Sequence, residues 1–392
     1  MTQSNHTMFR FIALLTPMVL LMGLALDLYI PSQQIMMHAL DLNFPQIQWT
    51  MTIYMYCFGL GQLIVGPITD RFGRRIPLFL SILLYIAGSV LTASVDQYLH
   101  ILIGRSLEAF GACGAMVIAL ALVRDKYEGN NAIKAFTYLR SMSTLAPILA
   151  PSLGVFLALH YGWRADFYFL AFLGGLALAC GFGIEYPPHT VAVSKANNFL
   201  RTYWHIFKNA SFRHYAVCAA MVQTVMFSYF SISPVIYLQH LQLSEAYFAI
   251  LFSVNASAFL LAAFIFASLI AKLGIKKSVF IGALLYISAG ILVWMMQCYF
   301  GMRIETLLIP GMLASAGCAF ALGPSCTGAL KPFKEQSGKA AALLGCIEFM
   351  LGGMLGACVV YIPPVSVFPF AISLIATGSI IFLNLALERS QN

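Results

Sequence analysis

Three acidic residues lie inside long apolar stretches of this sequence: Asp27 in LALDLYIP, Glu108 in IGRSLEAFG and Glu348 in LGCIEFMLG. An isolated carboxylate is costly in apolar surroundings, so each group should either pair with a cation or be held protonated. A carboxyl group that gains and loses a proton can couple proton movement to another event. The chemistry that these residues indicate is therefore proton exchange.

Asp27 has two interpretations. It lies four residues before Pro31, a residue that weakens a helix end. As a buried acid it predicts a proton-coupling group. Because it stands late in its apolar stretch, it also fits a cap at the end of a helix.

Arg105 and Glu108 are three residues apart, so a helix places them on one face. Gly104 and Gly111 share that face, which is typical of a side that packs closely or faces a cavity. Arg105 is the expected partner of an acid in the first half of the chain. Glu108 is then either a second proton site or a group that neutralises Arg105.

Glu348 shares a helix face with Gly345, Gly352 and Gly356. Glycine faces point at other helices, so this acid is expected to face protein rather than lipid. It is either a functional proton site or the partner of a polar group elsewhere in the second half of the chain.

A polar turn interrupts the apolar sequence at GQLIVGPITDRFGRR, residues 61–75. Gly61 and Gly66 permit close approach of helices, and Gly73 permits a sharp reversal. The charges of this turn predict a conformational latch at a membrane face, and the plainer alternative is an ordinary basic loop. The charged residues of the predicted latch are Asp70, Arg71 and Arg74.

The composition requires a membrane protein, because 60% of the residues are hydrophobic and 9% are charged. Twelve apolar stretches can each hold a helical span of about 20 residues, and Asp27, Glu108 and Glu348 are expected to be the only acids inside them. The predicted limits are 9–34, 47–68, 77–95, 99–122, 133–159, 165–185, 214–238, 246–271, 278–298, 304–324, 338–361 and 367–387.

The basic residues set the predicted orientation. Eighteen of the 22 lysines and arginines lie on the side of the 71–75 turn, against Arg164 and Arg303 on the other side. This bias predicts that both termini and the turn are cytoplasmic. The net charge of +8 is therefore explained by basic residues on the cytoplasmic side, next to anionic lipid. This explanation argues against a nucleic-acid partner.

The predicted domains are two six-helix bundles, 1–186 and 214–392, joined by a cytoplasmic linker, 187–213. The linker is the longest polar stretch, and its residues 199–207 form a candidate amphipathic helix. The text AKLGIKKS occupies the place in the second half that TDRFGRR occupies in the first, which suggests a duplicated unit.

Two further segments are candidates for function. Pro147, Pro151 and Gly154 lie on one face of the fifth predicted span, where the prolines bend the helix and the glycine permits close packing. In the second half, FSYFSISPVIY suits an aromatic cavity with a few polar contacts. The predicted substrate-contacting residues are Tyr29, Phe227, Tyr229, Phe230 and Asn255.

These motifs resemble those of the major facilitator superfamily, most closely the bicyclomycin-resistance (Bcr/CflA) branch of drug:proton antiporters. The 61–75 turn resembles the superfamily's G-x-x-x-G-P-x-S-D-R-x-G-R-R signature, with Thr69 in place of serine. LAPILAPSLGV resembles the branch's A-P-x-x-A-P-x-x-G-G, with Val155 replacing the last glycine. DLYIPSQ, V-R-D at residues 123–125 and GWRADFYF continue the resemblance.

The resemblance implies a fold of two rocking six-helix bundles, an aspartate at position 27 linked with transport, and a fourth-span arginine at position 105. Glu108 departs from the family's usual glutamine, and Glu348 departs from its usual neutral residue. The two acids are therefore candidate proton sites particular to this chain.

The predicted function is proton-coupled export of lipophilic small molecules by one chain in the bacterial inner membrane, with no enzyme activity. The sequence has no GxSxG, P-loop, HExxH or dinucleotide motif and no CxxC pair, so no cofactor and no metal are expected. Two alternatives stay open: a dedicated exporter of an endogenous metabolite such as a siderophore or an amino acid, and a transport-inactive membrane sensor.

Overall fold

A computed structural model describes residues 2–143, 146–186, 199–333, 336–359 and 366–391. The chain divides into two compact units, Met1–Lys195 and Ala196–Asn392. Every regular element in the described residues is helical. This agrees with a sequence so apolar that only helices satisfy its backbone polar groups within a membrane.

The first unit contains eight helices. The first predicted span comprises two of them, α1 and α2, which are separated by a break at Leu28. The fifth comprises α6 and α7, and residues 144–145 between them lie outside the described residues. The helices are α1 (Thr2–Asp27), α2 (Tyr29–Ala39), α3 (Phe44–Phe72), α4 (Arg75–Ser94), α5 (Tyr98–Lys126), α6 (Gly129–Ser143), α7 (Ala146–Tyr161) and α8 (Arg164–Phe182).

The second unit begins with a short helix, α9 (Phe199–Lys208), which lies in the predicted amphipathic segment. After Pro234, α10 (Ala210–Pro234) continues as a π-helical turn, Val235–His240. The remaining helices are α11 (Glu245–Ile265), α12 (Ala267–Phe300), α13 (Ile304–Leu330), α14 (Ser337–Cys358) and α15 (Phe368–Gln391).

The prediction of an all-helical, twelve-span membrane protein is confirmed. Within the described residues, eleven helices are long and apolar enough to cross a membrane, and the shorter apolar helix Ala146–Tyr161 completes the set. The domain limits stay a prediction. The boundary between the compact units falls inside the predicted linker, whose residues 187–198 lie outside the described residues.

Glycines bring the helices of each unit into close contact. A Cβ atom added at Gly88 on α4 would overlap the backbone of α5 at Glu108, so these two helices touch along their main chains. In the second unit, a Cβ at Gly352 or Gly356 would lie 2.6 Å from a side chain of α10. Such close approach is how helices associate where no water is expelled.

The turns after the second and eighth predicted spans have the same backbone conformation. Gly73 has φ 77° and ψ −176°, and Gly274 has φ 76° and ψ 176°. A positive φ with an extended ψ is accessible almost only to glycine. The weak sequence similarity between the two turns therefore reflects a repeated structure.

Candidate functional site

The centre of the first unit is a fully buried ion pair on α5. Arg105 donates a hydrogen bond of 2.6 Å from its Nη1 to Oε2 of Glu108, and neither side chain is exposed. Ser89 on α4 donates to the other carboxylate oxygen at 3.0 Å. Of the two roles predicted for Glu108, this geometry favours the one that neutralises Arg105.

Arg105 also binds backbone oxygens where the first span is broken. Two of its guanidinium nitrogens donate to the carbonyl of Ala25 at 3.3 Å, and Nε donates to the carbonyl of Thr50 at 3.4 Å. Ala25 lies three residues before Leu28, where α1 ends and α2 begins. The cation thus satisfies a carbonyl next to an interrupted helix, and its position on α5 is tied to that break.

Aromatic rings surround the guanidinium. Its central carbon lies 4.9 Å from the ring centroid of Tyr29, 4.5 Å from that of Tyr54 and 5.6 Å from that of Phe167. Cation–π contacts of this kind strengthen when water is absent. Tyr29 also forms a 2.6 Å hydrogen bond with Thr50. This predicted substrate-contacting residue therefore belongs to the group of rings that surrounds Arg105.

Asp27 is the last residue of α1 and is buried, with 4% of its surface exposed. Among the described residues, no hydrogen bond or ion pair to its carboxyl group is found, and the start of α2 has no side-chain cap. The helix-cap interpretation is therefore not supported.

The proline segment presses on the same helix break. Pro151 and Gly154 on α7 are buried, while Pro147 lies in the first turn of that helix and is half-buried. A Cβ at Gly154 would overlap the carbonyl oxygen of Leu28. The predicted close-packing glycine thus contacts the point where α1 gives way to α2.

In the 61–75 turn, Arg74 is the residue that joins the most partners. It pairs with Asp125 at the end of α5 at 3.0 Å and with Asp70 at 3.4 Å, and it donates to Thr69 at 2.8 Å. Arg71 lies over the ring of Phe72. The turn is therefore fastened to α5 through one guanidinium group.

The two glycines of the turn segment differ in their surroundings. A Cβ at Gly61 would lie 3.0 Å from the sulfur of Cys113, so close packing on α5 explains this residue. No described atom lies within 4 Å of a Cβ built on Gly66. The expectation that Gly66 permits close approach is therefore not met in this structure.

The predicted aromatic residues of the second unit form one group, in which Phe227 and Tyr229 are buried and Phe230 is half-buried. Phe230 lies 5.9 Å from Phe227 and 5.3 Å from Phe252, and Tyr229 lies 6.0 Å from Phe252, measured between ring centroids. A Cβ at Gly311 would lie 2.9 Å from the Tyr229 ring and 3.1 Å from Oδ1 of Asn255. Tyr229 and Asn255 thus meet at one point of α13.

Polar atoms accompany these rings. Ser315 donates to Asn255 at 3.3 Å. The buried hydroxyls of Tyr229, Ser233 and Tyr237 have no hydrogen-bond partner with good geometry among the described residues. Apolar walls with a few unsatisfied polar atoms are typical of sites for lipophilic ligands.

Glu348 on α14 is half-buried and accepts a hydrogen bond from the thiol of Cys326 on α13 at 3.2 Å. The sequence predicted either a proton site or a polar partner in the second half, and the partner is a weak donor. The glycines Gly352 and Gly356 pack against α10. Glu348 thus faces protein, as expected.

One further acid is buried, at the end of a predicted span. Asp166, in the first turn of α8, has no exposed surface. An acid in a first helical turn ordinarily complements the helix dipole at a polar end, so its sequence position does not indicate burial.

Within the described residues, no group of three or more His, Cys, Asp and Glu side chains has an arrangement suited to a metal ion.

Arg140, which lies within a predicted span, is in α6, and its side chain is outside the described part of the chain.

Two units of membrane-spanning helices, the first of which holds a buried ion pair, are typical of a membrane transport protein. Residues 15–357 match the model of the Major Facilitator Superfamily, and the chain belongs to this superfamily. It is 30% identical to the chloramphenicol resistance protein of Pseudomonas aeruginosa over 369 residues, which cover 92% of this chain and 86% of that protein.

Another relative is the bicyclomycin resistance protein homolog of Haemophilus influenzae, 24% identical over 370 residues, with 92% of this chain and 90% of that protein covered. Among solved structures, a D-xylose–proton symporter matches with a TM-score of 0.76 at 16% identity, covering 97% of this chain and 96% of the symporter. At that identity the match establishes the fold alone. The resemblance inferred from the motifs is confirmed, and the chain is an integral membrane transporter of small molecules.

Proposed function

We propose that this chain is a drug:proton antiporter that exports lipophilic small molecules from the cytoplasm. The observation that carries the proposal is the contrast between two buried acids of the first unit. Glu108 is bound to Arg105 at 2.6 Å, whereas Asp27 has no such partner among the described residues. Because Glu108 already balances the guanidinium, Asp27 is the group whose charge can change.

Proton binding at Asp27 is coupled to movement through the break at Leu28. A carboxylate at this buried position is costly and its neutral form is not. Protonation therefore changes the relative free energy of conformations that bury Asp27 and conformations that expose it. Arg105 and Gly154 hold the two sides of the break, so a change at Asp27 reaches both α5 and α7.

The substrate class follows from the rings of the second unit and from the relatives. Buried aromatic side chains around Asn255 suit an apolar molecule with few polar groups. The relatives are named for resistance to chloramphenicol and to bicyclomycin, which supports an antibiotic or similar compound as cargo. Phe227, Tyr229, Phe230 and Asn255 are the proposed substrate contacts.

The proposal includes the orientation and the transporting unit. The distribution of basic residues supports cytoplasmic termini in a bacterial inner membrane. One chain, surrounded by lipid, is the transporting unit, since the superfamily fold alternates access within a single polypeptide. Fusion of a reporter to each terminus and to the loop near Arg164 tests the orientation.

The test uses the full chain reconstituted in liposomes with a pH-sensitive dye inside. Addition of chloramphenicol or another lipophilic compound should move protons in wild type, and Asp27→Asn should abolish the signal. Asp41→Asn, a substitution at an exposed acid in the loop between α2 and α3, is the matched control and should behave as wild type. Proton movement with only a metabolite such as a siderophore or an amino acid would indicate a dedicated exporter. No movement with any compound would indicate a membrane sensor.

A further inference from the structure

The first unit contains a buried carboxyl group that the transport scheme above does not use. Asp166 has no exposed surface, and both of its carboxyl oxygens lack a hydrogen-bond partner with good geometry among the described residues. A carboxylate that served as a helix cap would accept bonds from backbone amides of its own first turn. Asp166 does not, although it stands in the first turn of α8.

Two neighbouring polar atoms are unsatisfied as well. The hydroxyl of Ser32 on α2 is close enough to influence the Asp166 carboxyl group but lies outside hydrogen-bond geometry. The indole N–H of Trp163, three residues before Asp166, is buried and has no partner among the described residues. Buried polar groups are nearly always paired. Unsatisfied atoms on three nearby residues therefore indicate a place for water and an exchangeable proton.

The surroundings of Asp166 are connected to the region of Asp27 through the side chain of Tyr29. Tyr29 lies on α2 between Asp27 and Ser32 in the sequence, and the Arg105 guanidinium lies 4.9 Å from the centroid of its ring. Its ring packs at 5.5 Å on Phe167, which follows Asp166. The two buried acids are thus linked by a tyrosine that touches the surroundings of each.

The surroundings of Asp166 also lie near solvent. Arg164, two residues before Asp166, forms an ion pair with Asp96, and both side chains are substantially exposed. The loop that carries Arg164 joins α7 to α8, and in the proposed orientation it lies on the outer face. A proton entering there meets Asp166 before it meets Asp27.

We propose that Asp166 is a second proton-binding residue, which passes protons between the outer face and Asp27. This inference rests on the proposed function. Asp166 accepts a proton from water at the outer face and becomes neutral, then releases a proton to water, from which the carboxylate of Asp27 takes one up. One O–H bond forms and one breaks in each transfer, and no redox partner is needed.

Other ionisable groups on the helices around Asp166 contribute to any dependence of transport on pH. Arg105 is balanced by Glu108 and Arg164 by Asp96, so neither cation is committed to Asp166. The other ionisable groups on these helices are tyrosines, histidines and an arginine, of which Arg10, His38, His100, His160 and Tyr161 are exposed. They include Arg10 on α1, Tyr29 and His38 on α2, Tyr85 on α4, Tyr98 and His100 on α5, and His160 and Tyr161 on α7.

The experiment compares Asp166→Asn with wild type in the liposome assay, with chloramphenicol as the probe and the outer pH varied. Asp166→Asn should slow proton-driven transport by on the order of tenfold or more and flatten its dependence on outer pH. Exchange of labelled for unlabelled chloramphenicol at equal pH needs no net proton transfer, so it should stay at the wild-type rate. Asp166→Glu should restore a pH dependence with a displaced midpoint.

Three results would overturn the inference. One is an unchanged outer-pH profile in Asp166→Asn, and another is equal loss of exchange and of proton-driven transport, which would indicate a structural role. The third result applies if Asp166→Asn does not fold. It is a dependence of transport on outer pH in Asp166→Glu that is the same as in wild type. Asp41→Asn, at an exposed acid in the loop between α2 and α3, is the matched control. Absence of proton coupling in wild type would instead reject the proposed function, and this inference with it.

Discussion

Oε2 of Glu108 lies 2.6 Å from Nη1 of Arg105, and both side chains are completely buried. The pair is neutral as a whole, and Ser89 satisfies the second carboxylate oxygen. A buried pair of this kind adds little net stability, but removal of one partner leaves a charge that nothing balances. This difference separates Glu108, the structural acid of the first unit, from Asp27, the acid proposed to exchange a proton.

Glu108→Gln is expected to lower the free energy of unfolding by about 3–5 kcal/mol, because Arg105 would remain buried without its counter-ion. Thermal unfolding of the purified variant in detergent measures this loss. Glu185→Gln removes an acid whose side chain is 90% exposed and should leave the unfolding temperature unchanged. Wild-type stability in Glu108→Gln would show that the pair is dispensable.

Asp27→Asn is expected to abolish proton-driven export while the protein still reaches the membrane in normal amounts. The amide keeps the size of the side chain and removes the exchangeable proton. Export of chloramphenicol from cells, normalised to the amount of protein in the membrane, checks the prediction. Export at the wild-type rate would refute the assignment of Asp27.

Arg74→Ala is expected to slow turnover more than either Asp70→Ala or Arg71→Ala, with little change in substrate affinity. Arg74 contacts both Asp125 on α5 and Asp70 in the turn itself. Initial transport rates over a range of substrate concentrations separate turnover from affinity. A large loss of affinity at normal turnover would contradict the role as a latch.

Glu348→Gln is expected to change the pH dependence of export or the preference for cationic substrates, and to leave thermal stability near the wild-type value. The side chain is half-buried, and its described partner is the Cys326 thiol, which can donate to an amide oxygen as well. Export of one neutral and one cationic compound across a pH series measures the effect. Unfolding of Glu348→Gln, with Glu108→Gln stable, would reverse the assignments.

Gly154→Ala is expected to reduce transport, because the added methyl group would overlap the Leu28 carbonyl at the break between α1 and α2. Overpacking of this kind costs about 1–3 kcal/mol. Gly175→Ala is the matched control, since no described atom lies within 4 Å of its added Cβ. Equal activity of the two variants would show that the contact at Leu28 has no role.

The spans and the pairing of Arg105 with Glu108 could be predicted because both follow from local rules. Apolar length determines a span, and a spacing of three residues places two side chains on one helix face. The burial of Asp166 could not be predicted, because it depends on how α2 and α8 pack. The open space at Gly66 likewise depends on tertiary contacts, since its sequence is indistinguishable from that of a packing glycine.

Gly73 and Gly274 give the two turns one backbone shape, but the side chains around them differ. Ala271 and Ile275 stand where Asp70 and Arg74 stand in the first turn. Ion pairs that reach solvent weaken as dissolved salt screens them. Raising the ionic strength should therefore loosen the fastening that Arg74 provides in the first unit's turn, for which Ile275 offers no equivalent in the second. The two turns thus share a backbone shape and differ in how this fastening responds to salt.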